Sequence, residues 1–213
     1  MKLIKNIILV ISIIAFLFQI CFDISSGVSL SILGRVFIVL IQVFGFLFVY
    51  WYYRDKVNLE KRKIYFKRLV YLLFVVYLLN LGYLLFLDGE MGRDFHFSLS
   101  ENIKSINLIP FHTIQLYINS YYGNYLPISI ICINLIGNII AFMPLAIFLP
   151  LLFKSQRKWY IYFITVSFII LGVELLQVYT ASGSGDIDDY ILNMAGSMFM
   201  YVIAYFIRKV KGL

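Results

Sequence analysis

The chain has 213 residues, of which 62% are hydrophobic and only 14% charged, with 20 Phe and 17 Tyr. That balance excludes an ordinary soluble domain and identifies an integral membrane protein. A formal net charge of +7 would suit nucleic-acid binding in a soluble protein, but its distribution along this chain points to anionic lipid headgroups and not to RNA or DNA.

A bilayer core about 30 Å thick is crossed by roughly 20 apolar helical residues. Six stretches meet or approach that length: Ile7 to Phe22, Val36 to Tyr53, Leu69 to Leu87, Ile128 to Phe153, Trp159 to Thr180 and Tyr190 to Ile207. The first follows Lys2 and Lys5 and has the outline of a secretory signal. No A-x-A site follows it, and Phe18-Gln19-Ile20 before Cys21 lacks the small residue of a lipoprotein cleavage site, so it reads as a retained anchor. Lys and Arg gather at Lys2 and Lys5, seven times from Arg54 to Arg68, three times from Lys154 to Lys158, and at Arg208, Lys209 and Lys211. With six spans these lie on one side, leaving Arg35, Arg93 and Lys104 on the other, and the positive-inside rule puts both termini in the cytoplasm. Cys21 and Cys132 fall near outer ends of their spans; a disulfide is conceivable, though small apolar thiols are commoner there.

No linker, low-complexity tract or repeat interrupts the chain, which reads as one all-α, polytopic membrane bundle over residues 1–213. Residues 1–87 form a three-helix scaffold whose few polar groups, Gln19, Gln42 and Asn80, find partners on neighbouring helices. Residues 88–127 form an extracytoplasmic segment, and residues 128–207 form a motif-bearing part of three further spans. Within the segment, Ile114, Tyr117, Ile118, Tyr121 and Tyr122 share one face of a helix from Thr113 to Tyr122. It lies either on the outer leaflet or as a cap over the bundle. In the fourth span Pro144 predicts a kink, because proline removes a backbone donor and clashes with the carbonyl of Ile140. Gly137 and Ala141 form a small-xxx-small pair expected to admit a neighbouring helix.

The chemistry concentrates in the second half. Glu174 lies inside a span, where a charged group costs roughly 2.5–3.5 kcal/mol and marks a functional site or a protonated carboxyl bonded between helices. Gln177 shares its face at i+3. With the last helix starting near Ile187, Asp186, Asp189, Asn193 and Gly196 recur at near-helical spacing and aim at Glu174. Asp188 reads as a capping or solvated acid. Asn134 and Asn138, at i and i+4, line a further wall or simply bond helices together. Clustered oxygens of this kind suit Mg²⁺ or Ca²⁺, but the pattern is not sufficient to assign a metal or a cofactor. His96 and His112 are spaced too loosely for ligation and read as ordinary surface or interfacial histidines, and no nucleophile elbow, P-loop, HExxH or CxxC is present.

The order of these fragments resembles the VanZ-like family of bacterial membrane proteins. The carrying residues are Asn107-Leu108-Ile109-Pro110-Phe111; Asn134 to Asn138 with Phe142 and Pro144; Glu174-Leu175-Leu176-Gln177; and Asp186-Ile187-Asp188-Asp189 with Asn193 and Gly196. The resemblance implies a multi-pass protein of the bacterial cell membrane, related to proteins associated with resistance to teicoplanin and similar lipoglycopeptides. It also brings Asn107 into the candidate ligand-binding set of Asn134, Asn138, Glu174, Gln177, Asp186, Asp189 and Asn193. Two departures stand out: no arginine precedes the Asp cluster at Gly183 to Gly185, and Ala146 replaces the glycine that often follows the proline. The expected function is a non-enzymatic envelope protein whose outward-facing polar cavity engages a lipid-linked cell-wall precursor or a lipidated antibiotic, with membrane lipids as partners. The alternatives are an intramembrane enzyme on a lipid or peptidoglycan precursor, with Glu174 as acid or base beside Asp186 and Asp189, and a lipid or proton-coupled transporter.

Overall fold

The computed structural model describes residues 2–24, 31–88 and 106–211. It is helical, and six helices are long and apolar enough to cross a membrane, at the places the hydropathy predicts. The residues divide into two compact units, Met1–Gly92 and Arg93–Leu213. His96, Arg93 and Lys104 fall outside the described residues.

The first unit contains α1 (Lys2–Ile24), α2 (Ile32–Arg54) and α3 (Leu59–Phe86). Local chemistry sets two of the starts. Ser31 Oγ accepts from the Gly34 amide at 3.3 Å, and Asn58 Oδ1 accepts from the Lys61 amide at 3.0 Å, each satisfying a donor that a helix start leaves free. The three helices are joined by a relay of amides. Gln42 Nε2 donates to Gln19 Oε1 at 2.8 Å, Gln19 Nε2 donates to Asn80 Oδ1 at 2.7 Å, and Asn80 Nδ2 donates to the Val76 carbonyl at 2.8 Å. This is the partnering that the isolated amides of the first three spans predict. Near the other end of α2, Arg35 is buried against Asp23 and the face of Tyr83.

The second unit contains α4 (His112–Tyr122), α5 (Ile128–Ala141), α6 (Leu145–Leu152), a 3₁₀ turn at Lys154–Arg157, α7 (Trp159–Tyr179) and α8 (Ile187–Lys211). Pro144 does more than kink the fourth span. The α-helix stops at Ala141, the Met143 amide closes a tighter turn onto the Ile140 carbonyl, and α6 starts after the proline. The ring removes a donor and excludes the carbonyl geometry of a continuous helix, so a break replaces the kink. α6 carries Leu145, Ala146 and Leu149 into the core, and α8 packs against α5, α6 and α7.

The close helix approach does not occur at Gly137, which has open space around it; it occurs at Gly196. A β-carbon on Gly196 would fall 1.8 Å from the Ile139 carbonyl oxygen, so only glycine lets α8 press on the α5 backbone there. Gly137 lies on an exposed face of α5, and a small-xxx-small spacing alone does not say which face meets a neighbour. Further along, Tyr162 and Tyr201 stack with centroids 4.3 Å apart, and the Tyr162 and Ser197 hydroxyls share a hydrogen bond, fixing α7 to α8 in a fully buried layer.

Candidate functional site

The polar cluster of the second unit is organised by the turn that leads into α8. Asp186 occupies the position before the helix, and its Oδ1 accepts from the Asp188 amide at 2.9 Å, an N-terminal cap of its own helix. The same carboxylate reaches outward from the cap. Oδ1 also accepts from Asn107 Nδ2 at 3.0 Å, and Oδ2 accepts from the Thr113 hydroxyl at 2.5 Å. Asn107 and Asp186 additionally pair as a single parallel β-bridge, the Asn107 amide donating to the Gly185 carbonyl at 2.8 Å and the Ile187 amide to the Asn107 carbonyl at 3.0 Å.

Asp188 corrects its sequence reading in part. It is a cap, but for another helix, and it is not solvated: its exposure is 0%. Its carboxylate accepts from the Phe111 amide at 2.5 Å and the Ile114 amide at 3.1 Å, at the N-terminus of α4. Phe111 has φ of 64°, the left-handed region that a bulky side chain occupies at a cost of about 1–2 kcal/mol. The fixed carboxylate offsets that cost by taking two amides that would otherwise lack an acceptor.

α4 therefore packs against α5 and α8, while Ile118, Tyr121 and Tyr122 remain exposed on it. His112, at its first position, is exposed.

Around this frame the remaining candidates sort themselves. Asn138 Nδ2 donates to Asp189 Oδ1, joining α5 to α8. Glu174 is 8% exposed, and its Oε2 accepts from the Asp186 main-chain amide at 3.3 Å, so the buried carboxyl of α7 meets the backbone at the start of α8, while the Asp186 side chain turns to Asn107 and Thr113. Gln177 is buried one turn along from Glu174 on α7. Asn193 is 3% exposed, and its Oδ1 receives no hydrogen bond. Asn134 is not brought into the cluster. Its Nδ2 donates to the Ile130 carbonyl of its own helix at 2.9 Å, a local bond open to a half-buried amide.

Two further residues belong to the site. Thr113 bonds Asp186, and Tyr117 lies close enough to Asp189 and Asp186 to sense their charge. Burial pushes the Tyr117 phenol up from its ordinary value, with Asp189 and then Asp186 adding to the rise. Tyr117 was legible only as part of an apolar face, and Thr113 only as a helix start.

No lysine or arginine occurs in residues 106–153 or 159–207. The carboxylates of the cluster are held instead by amide and hydroxyl donors. Among the described residues no group of three or more His, Cys, Asp or Glu side chains is placed to hold a metal ion. Cys132, on α5, is a free thiol, as is Cys21 in the first unit.

A protein-family model described as VanZ/LLP1 matches residues 74–208. No curated protein and no solved structure matches the chain.

Proposed function

The chain belongs to the VanZ/LLP1 family, and from that membership and the polar cluster we propose that it lowers the action of teicoplanin-type lipoglycopeptides by engaging a lipid-linked or lipidated molecule at that cluster, in a bacterial cell membrane. The observation that carries this reading is the Asn193 carbonyl oxygen, buried and without a donor. A ligand hydroxyl, amide or ammonium arriving there gains a hydrogen bond without displacing one. On the same helix Asp189 lies one turn earlier, bonded to Asn138, and Asp186 caps the start, meeting Glu174 through its main-chain amide; no lysine or arginine occurs in residues 106–153 or 159–207 to compete for the carboxylates. Such a site selects donor-rich groups such as sugar hydroxyls, peptide amides and amines, and the apolar spans accommodate a lipid tail.

The basic rims at residues 54–68, 154–158 and 208–211 support cytoplasmic termini. With that orientation the proposed site faces outward, where lipid-linked precursors and lipidated antibiotics meet.

The test is susceptibility of a sensitive Gram-positive host expressing wild-type protein, Glu174→Gln or Asp189→Asn at matched membrane levels, with vancomycin as comparator. Protection selective for teicoplanin and lost in both variants is the expected result. Protection retained in both overturns the site, and no protection by wild type overturns the function. Turnover of a labelled lipid precursor by the purified chain, abolished in Glu174→Gln, would replace binding with catalysis.

A further inference from the structure

The helices of the first unit leave an elongated apolar crevice of about 500 Å³, the size of a small-molecule site. Leu9 and Phe16 of α1 and Leu72 and Val76 of α3 line its length. One end differs sharply from the rest. Tyr50 and Tyr53 from the end of α2 meet Tyr65 and Arg68 from the start of α3, placing three phenols and a guanidinium around the mouth. Lys5 adds a second cation there, its Nζ donating to the Tyr53 hydroxyl at 2.7 Å and lying 4.9 Å from the ring centroid.

The chemistry of this mouth is one-sided. Among the described residues no acidic side chain lines the crevice. Arg68 is exposed and has no ion-pair partner among the described residues, and the run from Arg54 to Arg68 sets seven basic residues against Asp55 and Glu60. From Arg68 to Val76, α3 advances about 12 Å at its rise of about 1.5 Å per residue. That is close to half of a hydrocarbon core about 30 Å thick. A cationic, phenol-ringed entrance over an apolar channel one leaflet deep matches an amphiphile with a negative head and a single long tail in the channel. Tyrosine and arginine at such a depth sit where headgroups begin.

We propose that this crevice is a binding site for an anionic phospholipid, with one acyl chain along Leu9, Phe16, Leu72 and Val76 and the phosphate held by Arg68 beside Lys5. The charge balance selects the lipid: a zwitterionic headgroup returns a positive charge to a mouth that already has two, whereas an anionic one does not. Arg68 supplies the charge-assisted hydrogen bonds that fix the phosphate, and the phenols supply neutral donors beside it. The site is separate from the polar cluster of the second unit and stands or falls independently of it.

The experiment is thermal unfolding of the purified full chain in nonionic detergent, titrated with phosphatidylglycerol, phosphatidylcholine or glycerol phosphate. Phosphatidylglycerol is expected to raise the midpoint, and the other two to leave it unchanged. Arg68→Gln, at an exposed position, weakens the apparent affinity about tenfold. Leu72→Trp, which fills the channel from a half-exposed position, abolishes the shift while keeping the lipid-free midpoint. If that variant does not fold, Arg68→Gln decides alone. Equal shifts with both phospholipids would reduce the crevice to ordinary lipid contact, and a shift with glycerol phosphate would make it an ion site without a tail. Unchanged affinity in Arg68→Gln overturns the proposal, as does lipid-independent self-association that closes the crevice.

Discussion

The buried carboxylate of Asp188, at the start of α8, accepts the amide proton of Phe111 at 2.5 Å across 77 residues of chain. With the second bond from Ile114, it supplies the N-terminal cap that α4 has no side chain of its own to provide. Asp188→Ala is expected to cost about 2–4 kcal/mol, one lost cap together with a buried amide left without an acceptor. Asp188→Asn, which keeps one carbonyl oxygen, costs less. Unfolding midpoints and protease cleavage within residues 112–122 check the order: Ala should expose α4 to cleavage first, and equal resistance in all three proteins would refute the capping role.

Gly196→Ala forces a methyl group into the Ile139 carbonyl oxygen, and backbone cannot yield as a side-chain tip can. α5 and α8 must part, at a cost of about 1–3 kcal/mol. Gly137→Ala, in open space on α5, should be neutral or stabilising by up to about 1 kcal/mol because alanine favours the helix. Melting curves of both variants in the same detergent separate the two positions, and similar midpoints would contradict the close approach.

Asn193→Leu removes an acceptor that no donor satisfies, an arrangement that costs about 1–3 kcal/mol when buried. The folded protein should therefore keep or raise its melting temperature while losing protection against teicoplanin. A destabilised variant would mean that the amide holds the helices together. A stable variant with full protection would remove Asn193 from the ligand site.

Tyr117 is expected to ionise above its ordinary value of 10.0, first because it is partly buried and then because Asp189 and Asp186 face it. The unfolded chain then releases this proton first. The stabilising contribution is complete below about pH 10, where both states hold the proton, and is lost as pH rises through the higher folded value. The difference in tyrosinate absorbance between wild type and Tyr117→Phe isolates this group, and Asp189→Asn should move it downward. A Tyr117 that titrates at its ordinary value in the folded wild type would exclude it from the cluster.

Hydropathy located all six long helices because the length of an apolar run is a one-dimensional property. Glu174 and Asp186 met because the α7–α8 connection is short. The roles of Asp188, Thr113 and Asn134 were not legible in the same way. Asp188 satisfies amides 77 residues earlier, Thr113 reaches Asp186, and Asn134 turns back onto its own helix, all choices made by packing between distant segments. The same limit explains Gly137: spacing shows that a face is smooth, and tertiary packing decides whether anything lies against it.

The bridge between Asn107 and Asp186 has a consequence for biosynthesis. Residues 106–111 precede α4, yet among the described residues every hydrogen-bond partner that fixes them from outside this stretch and α4 itself lies between Gly185 and Asp188. A chain emerging from the ribosome can place α5, α6 and α7 while this stretch still lacks its acceptors. Only when residues 185–188 have been made can this end of the second unit close, so a truncation before Gly185 leaves α5, α6 and α7 with residues 106–111 lacking those partners.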